Sequence, residues 1–371
     1  MMENLIRIYL IFIDKSKFKL YILTLNFKFV VFMSIADTVL REKLLKQKYQ
    51  LYGKQVAVKK CAWTHNVLRK DSYCYKRFYG IMAHRCVQFS PVLMCNFACT
   101  FCWRVHESDL GIPNLYIEYK KSVEKGESTY EDWFDKPDEV VKGMLWGWKR
   151  IVCGYKPFVD EKMYNEAMNP KHATISLTGE PLLYPWTPEL IKKLKELDMT
   201  VFIVTNGTQP QSVQSMLDQK QYPTQLYITL PAPDTTDFKR THRPLVKGLR
   251  TKIDETLDII GKGVPFRTVA RLTVAKGYNL SNAEGFAKLI EKMNPSFIEV
   301  KGVVHVGAAQ HRIPRESMPT HEDILNFSKE LSEFTGYNIT AERPNSYLSI
   351  LSKEKEPLCI SSLADNCSCW P

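Results

Sequence analysis

The chain has 371 residues, of which 44% are hydrophobic and 25% charged, so it is long enough for one α/β barrel or for two smaller domains. Lysine and arginine number 51 against 40 acidic residues, a formal net charge of +11 that favours association with polyanions such as nucleic acid but specifies no fold. Ten cysteines in a chain with enough apolar residues for a core indicate metal binding or catalysis rather than the disulfide framework of a small secreted domain.

The first 32 residues contain two short apolar runs. These runs cover residues 6–13 and 29–32 and are separated by charged residues that begin at Asp14, so neither approaches the ~20 residues that cross a bilayer. No small-residue cleavage site follows an uninterrupted apolar stretch, and a cluster of reduced thiols is unsuited to an extracellular protein. We therefore expect a cytoplasmic protein without membrane contact, with Met33 as its natural start and residues 1–32 as a non-native or disordered extension.

Residues 33–86 form an N-terminal segment that carries three widely spaced cysteines. Cys61, Cys74 and Cys86 are separated by thirteen and twelve residues, a spacing that matches no recognised motif on its own. Isolated cysteines are often buried as small apolar residues. The residues alone therefore leave a metal site and simple burial equally open.

A regular alternation of strand and helix patterns begins near residue 87. Short β-rich apolar runs predict six strands, at 87–94, 173–179, 200–206, 225–232, 266–275 and 297–306. Apolar residues spaced three and four apart predict helices at 187–198, 247–263, 282–293 and 320–334. Because repeated strand-helix units form parallel sheets covered on both faces, we predict an α/β fold for residues 87–352, a partial (β/α)6 TIM-like barrel, followed by a tail over 353–371.

A long segment, residues 107–172, separates the first two predicted strands. Its stretch 139–150 contains Trp146, Trp148 and Lys149 and predicts an amphipathic helix. A binding surface would also suit these side chains, but packing is the better interpretation because tryptophans are on average highly buried.

Three closely spaced cysteines follow the first predicted strand. Cys95, Cys99 and Cys102 have the spacing C-x3-C-x2-C, and a four-iron cluster held by three thiolates keeps one iron open for an outside ligand. A structural zinc site instead closes with four protein ligands, and His106 could provide the fourth. Chemistry in parallel α/β sheets gathers at the carboxyl ends of the strands, so this loop marks the expected active-site edge.

Polar turns follow the next two predicted strands at the same edge. They are Thr178, Gly179, Glu180 and Pro181 after the second strand, and Thr205 and Asn206 after the third. The first of these turns, taken alone, could be an ordinary proline-terminated turn. The cysteine spacing, however, resembles the signature of the radical S-adenosylmethionine (SAM) superfamily, in which SAM occupies the open iron and a Gly-Glu-Pro-like turn holds its ammonium. The resemblance implies that both turns bind the cosubstrate.

Seven segments carry a closer resemblance. They are CAWTH (61–65), YCYKRFYG (73–80), RCVQFSP (85–91), CNFACTFCWR (95–104), ATISLTGEPLLYP (173–185), RLTVAKGYN (271–279) and FIEVKGVVHVG (297–307). Together they resemble the archaeal 4-demethylwyosine synthase family, from about Cys61 to Thr340.

The family resemblance implies a reaction and a second cofactor. The reaction condenses pyruvate with N1-methylguanosine beside the anticodon of phenylalanine tRNA, so that two pyruvate carbons enter a new ring and the carboxylate is lost. A second [4Fe-4S] cluster is implied on Cys61, Cys74 and Cys86. Lys76 is implied to hold pyruvate as a Schiff base, which requires a lowered lysine pKa; direct binding of pyruvate to the open iron of that cluster is the alternative.

Several expectations concern partners and departures from the family. We expect an external electron donor, because no flavodoxin-like domain of the eukaryotic members is recognisable, and a monomer. The tail cysteines Cys359, Cys367 and Cys369 are not expected in the family and receive no assigned role. Two other functions remain open at this stage: a radical SAM enzyme for a peptide or small metabolite, and a zinc-stabilised RNA-binding protein without catalysis.

Overall fold

Strands form the framework of the molecule. The computed structural model describes residues 9–14, 19–24, 35–69, 73–353 and 359–360. The strands in these ranges are β1 (Tyr9–Asp14), β2 (Lys19–Thr24), β3 (Gln50–Tyr52), β4 (Val56–Val58), β5 (Cys86–Ser90), β6 (His172–Ile175), β7 (Thr200–Thr205), β8 (Gln225–Thr229), β9 (Arg267–Val274), β10 (Phe297–Gly302), β11 (Asn338–Arg343) and β12 (Leu348–Ser352).

Helices alternate with the central strands. They are α1 (Ile35–Lys46), α2 (Ala62–Leu68), α3 (Leu115–Glu124), α4 (Tyr130–Trp133), α5 (Pro137–Val152), α6 (Glu161–Met168), α7 (Thr187–Glu196), α8 (Pro210–Asp218), α9 (Thr235–His242), α10 (Leu249–Gly261), α11 (Ala283–Met293) and α12 (His321–Thr335). Among the described residues, no helix has the length and apolar composition needed to span a bilayer.

Six parallel strands form the centre of the sheet. The strands β5 to β10 lie in chain order, and each pairs in parallel with the next, which confirms the predicted partial barrel. Each observed strand ends one to four residues earlier than predicted. The residues beyond each observed strand end belong to the loops that carry the polar motifs. In these loops an apolar sequence does not indicate a strand.

Short antiparallel strands extend both edges of this sheet. β4 and β3 follow outside β5, and β12 and β11 follow outside β10. They were not predicted, because three to six residues are too few for a clear period. β4 ends three residues before Cys61, so it fixes the start of the cysteine-bearing N-terminal segment beside β5.

The segment 1–32 and the tail are described only in part. β1 and β2 pair with each other in an antiparallel hairpin. The rest of the expected extension lies outside the described residues, and Met33 as natural start stays a prediction. In the tail, Cys367 and Cys369 also lie outside them, whereas Ile360 is buried and its N–H donates to the carbonyl of Tyr79 at 3.4 Å.

The outer layer is a row of helices that follows the strand order. Contacts run from α5 to α7, α8, α10, α11 and α12, each helix packing on the next. In α7, for example, Leu190, Ile191 and Leu194 are fully buried, as their spacing predicts. α5 includes the whole of the predicted helix 139–150. Trp148 is buried, and Trp146 lies on the exposed face.

The inner faces of the strands carry polar and reactive side chains. Alternate residues of a strand point to opposite faces, and in β5 Val87 and Phe89 join the core under the helices while Cys86 joins the cluster inside the barrel. The 3-10 segment Tyr75–Tyr79 contributes to the same inner cluster. The N-terminal segment therefore fills part of the barrel interior.

Candidate functional site

The cysteine loop after β5 is held by backbone hydrogen bonds to the end of α9. Ala98 N–H donates to the carbonyl of Arg243 at 3.1 Å, and Thr100 N–H donates to the carbonyl of Thr241 at 2.9 Å. These bonds fix the residues between the cysteines. Cys95, Cys99 and Cys102 themselves are free thiols and are half-buried.

Arg312 closes this loop from the opposite end of the chain. Its Nη1 donates to the carbonyls of Cys99 at 3.0 Å and Cys102 at 2.7 Å, and Nη2 donates to the carbonyl of Arg104. The same guanidinium forms a two-point pair with the Asp109 carboxylate, at 2.9 and 2.7 Å. A bidentate, charge-assisted arrangement of this kind fixes orientation as well as adding energy.

The turn after β6 lies directly against the start of the cysteine loop. Glu180 N–H donates to the carbonyl of Met94 at 2.9 Å. Gly179 has a φ of +69°, and a Cβ there would lie 2.4 Å from the carbonyl oxygen of Val92. Only glycine permits both this conformation and this approach. The two motifs that the sequence paired are thus in contact.

Glu180 joins the two polar turns through its buried carboxyl. Its carboxyl is buried, with Oε1 accepting from Leu182 N–H and the Thr205 hydroxyl and Oε2 accepting from Asn206 N–H at 2.8 Å. Burial raises the pKa of this carboxyl to about 7, against the opposing effect of those donors. The carboxyl therefore joins the two turns to each other, and its predicted contact with the cosubstrate stays a prediction.

Asn206 connects the third strand to the first cysteine. Its Nδ2 donates to Oδ1 of Asn96 at 2.8 Å and lies 3.9 Å from the Cys95 sulfur. Its Oδ1 accepts from Thr208 N–H at 3.0 Å. The side chain is therefore fixed beside Cys95. Thr178 is held through its backbone by Ser90, and Pro181 starts the following 3-10 turn.

His106 does not complete a zinc site with these cysteines. Among the described residues, no three Cys, His, Asp or Glu side chains are arranged to ligate one metal ion together. Burial lowers the pKa of His106 to about 4, and the positive charge of Arg312 adds to this effect. The ring thus belongs to the support around Arg312 and Asp109.

The second trio of cysteines comes together at the barrel interior. Cys61 caps α2 and accepts from Thr64 N–H at 3.3 Å, Cys74 immediately precedes the segment Tyr75–Tyr79, and Cys86 begins β5. The charges of Cys61 and Cys86 both act on Cys74, and burial raises the pKa of Cys74 to about 12. The structure thus brings together three residues whose sequence spacing alone was uninformative.

Lys76 lies beside this second trio. The side chain is buried, and its Nζ is 5.0 Å from the ring centre of Phe202 and 5.2 Å from that of Tyr227. Burial lowers the pKa of the ammonium, while Cys86 opposes the shift and Arg271 adds to it. A lysine with a lowered pKa has a larger fraction of nucleophilic amine at neutral pH.

Charged residues on β9 and β10 surround Lys76, and sequence reasoning missed them. Arg271 and Glu299 are paired by strand register, and Lys301 follows two positions later on the same face. A charge inside an otherwise apolar predicted strand is the signal that could have found them, since such strands are buried on both faces.

Arg104 lies between the two trios. The charges of both Cys102 and Cys61 act on its guanidinium, and burial lowers its pKa to about 10. Nη1 donates to the hydroxyl of Tyr49 at 2.5 Å. The two sites are therefore neighbours rather than separate pockets.

Each trio fits a four-iron cluster in its chemistry. Three soft sulfur donors per site are free and lie within electrostatic reach of one another. Burial raises the pKa of Cys95, Cys99, Cys102 and Cys86, so metal binding must displace their protons. The three thiolates of a four-iron cluster bind three different irons. This accords with the finding that no three described side chains are arranged around one metal ion.

Known proteins match most of the chain. A family model described as the Radical SAM superfamily matches residues 89–290, and one described as Wyosine base formation matches residues 292–353. The S-adenosyl-L-methionine-dependent tRNA 4-demethylwyosine synthase of Pyrococcus abyssi is 37% identical over 318 residues, which cover 84% of this chain and 88% of the relative. The human protein of that name, TYW1, is 33% identical over 321 residues, which cover 85% of this chain and 41% of the relative.

Solved structures agree with these relatives. A structure of TYW1 with a lysine-pyruvate adduct bound matches at a TM-score of 0.72 and 35% identity, covering 86% of this chain and 96% of the other. A crystal structure of archaeal TYW1 matches at a TM-score of 0.66 and 31% identity, covering 87% and 98%. The fold and the cysteine loop make this chain a member of the radical SAM superfamily, whose enzymes use SAM and a [4Fe-4S] cluster. Within it, the chain belongs to the tRNA 4-demethylwyosine synthase family.

Replacing Arg312 should weaken the cysteine loop selectively. Arg312→Met leaves three loop carbonyls without their donor and Asp109 without its partner, a loss of roughly 3 kcal/mol. We expect a lower melting temperature and about half the iron per chain after anaerobic reconstitution. Arg315→Met is the control and should match the wild type, because Arg315 is exposed and lies three residues after Arg312, outside the cysteine loop. Equal iron content and melting temperature in Arg312→Met would contradict the assigned support.

Proposed function

We propose that this protein condenses N1-methylguanosine next to the anticodon of phenylalanine tRNA with pyruvate to form 4-demethylwyosine. The observation that carries the proposal is a buried lysine, Lys76, beside a free cysteine trio inside a radical SAM barrel. A relative of the same fold holds a lysine-pyruvate adduct. The alternatives of another radical SAM substrate or a non-catalytic zinc protein have no comparable support.

We assign the first cluster to Cys95, Cys99 and Cys102. These three thiolates would hold the cluster, and the cluster would supply the one-electron reduction of SAM on which this superfamily's radical chemistry depends. The protein's part is to hold the loop rigid and the turns in contact, through Arg312, Gly179 and Glu180. Asn206 and the backbone around Thr178 are our candidates for direct contacts with SAM, because they lie beside Cys95 and the start of the loop.

We assign a second cluster to Cys61, Cys74 and Cys86, and the pyruvate to Lys76. The Lys76 amine attacks the keto carbon of pyruvate, a C–N bond forms, and the keto oxygen leaves as water. The buried position and the rings of Phe202 and Tyr227 exclude bulk water, which favours the imine over its hydrolysis. An imine also holds the small acid beside the RNA base at a high local concentration, so the reaction does not depend on a free encounter of the two.

Iron analysis tests the assignment of the two trios. Two four-iron clusters predict about eight irons per chain after anaerobic reconstitution. Cys99→Ala and Cys86→Ala should each retain about half of that iron. Only Cys99→Ala should lose release of 5′-deoxyadenosine from SAM under dithionite. Undiminished release from that variant would remove the assignment of the first cluster.

Trapping with borohydride tests the role of Lys76. Reduction in the presence of pyruvate should leave a covalent adduct on the peptide that contains Lys76. Lys76→Arg keeps the positive charge but forbids the imine, so this variant should retain both clusters and RNA binding while losing 4-demethylwyosine. Lys288→Arg, on the outer helix α11, is the matched control.

Two results would argue against the imine. Product formation by Lys76→Arg is one, and the absence of any adduct on the wild-type protein is the other. Either result would favour direct binding of pyruvate to the open iron of the second cluster.

We propose that RNA contacts the mouth of the barrel near Trp103. This side chain follows the last cysteine of the loop and is 40% exposed. Its ring lies against the Arg104 guanidinium, and the Lys59 Nζ is 5.7 Å from the ring centre. An exposed aromatic ring next to cations suits an unstacked base and its phosphates.

Salt titration separates the ionic contribution of Lys59 to RNA binding from the stacking contribution of Trp103. Neutralising ~4 phosphates predicts a log–log slope of affinity against salt of roughly −3 to −4 for an anticodon stem-loop. Lys59→Gln should make the slope shallower by about 1. Trp103→Ala should weaken binding by about 1–3 kcal/mol without changing the slope. Lys288→Gln is the control, and a flat salt response of the wild-type protein would point to a small-molecule substrate instead.

An external electron donor, a monomeric state and a cytoplasmic location complete the proposal. They rest on the sequence expectations alone.

A further inference from the structure

Three cations and one carboxylate lie together inside the barrel. The cations are Lys76, Arg271 and Lys301, and the carboxylate is Glu299. Each cation interacts electrostatically with Glu299, and Arg271 interacts with both lysines. The group therefore has an excess of positive charge in a site of low polarity, where charges are poorly screened.

The single carboxylate of this group is already saturated. Glu299 is fully buried and accepts from Nε of Arg271 at 3.1 Å, from the hydroxyl of Tyr79 at 3.1 Å and from that of Tyr75 at 3.4 Å. Nη2 of Arg271 donates to the same carboxylate. Glu299 thus orients Arg271 and has little capacity left for another cation.

Arg271 keeps one donor group free. Its Nη2 also donates to the Tyr75 hydroxyl at 2.6 Å, but Nη1 has no acceptor within the described part of the chain. The side chain is 15% exposed, in contrast to Glu299 at 0%. The Nη1 group of a rigidly held guanidinium is therefore available to an anion.

Arg271 and Lys76 both lie beside the ring of Tyr227. The guanidinium carbon is 4.7 Å from the ring centre of Tyr227, and the Lys76 Nζ is 5.2 Å from the same ring centre. Lys301, by comparison, has an acceptor for its ammonium in the carbonyl of Ser346, at 2.9 Å. These contacts place Arg271 beside the same ring as the Lys76 amine, and they direct the Lys301 ammonium to Ser346.

We propose that Arg271 binds the carboxylate of the 2-oxo acid that Lys76 holds as an imine, and so selects 2-oxo acids over neutral carbonyl compounds. This inference rests on the proposed function and deepens it. A hydrogen bond from the cationic Nη1 group to a carboxylate is charge-assisted, and such bonds are shorter and stronger than neutral ones. The rings of Phe202 and Tyr227 lie beside Nζ, where the acid would be held.

The test compares pyruvate with acetone, in which a methyl group replaces the carboxylate. Borohydride trapping on the reconstituted protein is followed by peptide mass analysis at Lys76 over a range of carbonyl concentrations. The wild-type protein should trap pyruvate at far lower concentration than acetone. Arg271→Met should reduce the preference for pyruvate over acetone by roughly 10- to 100-fold, because trapping of pyruvate falls more than trapping of acetone. Arg271→Lys should lie between the two.

Two further variants keep the test decisive. Arg271→Met leaves Glu299 buried without its partner, which can unfold a protein; the double variant Arg271→Met with Glu299→Gln avoids this and should show the same loss of preference. Lys301→Met should keep the preference. Iron content and thermal unfolding report whether each variant is folded and loaded.

Three outcomes would overturn the inference. Full pyruvate preference in a folded, iron-loaded double variant would show that Arg271 does not bind the carboxylate. Loss of preference in Lys301→Met alone would assign the carboxylate to Lys301. Failure of the wild-type protein to trap either compound at Lys76 would remove the imine itself and with it both this inference and that part of the proposed function.

Discussion

The buried carboxylate of Glu299 determines how the N-terminal segment joins the barrel. A charge with no solvent contact must be paired, and Glu299 is paired with Arg271 and with the hydroxyls of Tyr75 and Tyr79. Breaking a buried pair costs roughly 3–5 kcal/mol, whereas an exposed pair contributes about 0–1 kcal/mol. This penalty fixes the segment Tyr75–Tyr79 against β9 and β10. Lys76 lies within that segment. Its position therefore depends on the burial of Glu299, which lies 220 residues after Tyr79 in the sequence.

The first cysteine loop is fixed by a different means. Its support consists of hydrogen bonds to backbone carbonyls, from Arg312 and from the loop's own amides to residues 241 and 243. Backbone bonds specify a loop conformation without filling the space beside the sulfurs. The ligands of a metal cluster are then arranged before the metal arrives, so less conformational entropy is lost on binding.

Sequence patterns predicted the parts of this structure that depend on local composition. The six parallel strands follow from apolar runs, and the first cysteine trio from a compact spacing. The contacts of Arg312 and Arg271 could not be predicted in the same way, because they depend on which distant residues meet. Arg312 binds a carbonyl 210 residues earlier. Arg271 meets Glu299 only because β9 and β10 are adjacent and in that register.

Glu180 illustrates a limit of a different kind. The motif correctly placed this residue at the active-site edge, next to the cysteine loop. A motif does not specify which atoms a side chain contacts, and the two oxygens of Glu180 are directed at Leu182, Thr205 and Asn206. Within the protein it holds the backbone of Asn206, whose side chain lies beside Cys95.

Arg104 accounts for the closeness of the two cysteine trios. A four-iron cluster with three thiolates carries net negative charge, and two such clusters in a poorly screened interior repel each other. The pKa of Arg104 is lowered only to about 10, so the side chain stays cationic at neutral pH and lies between the trios. Its bond to Tyr49 ties the cysteine loop to the N-terminal segment. A fixed cation in this position would reduce the repulsion between clusters held at the two trios, so the interior could hold both in proximity.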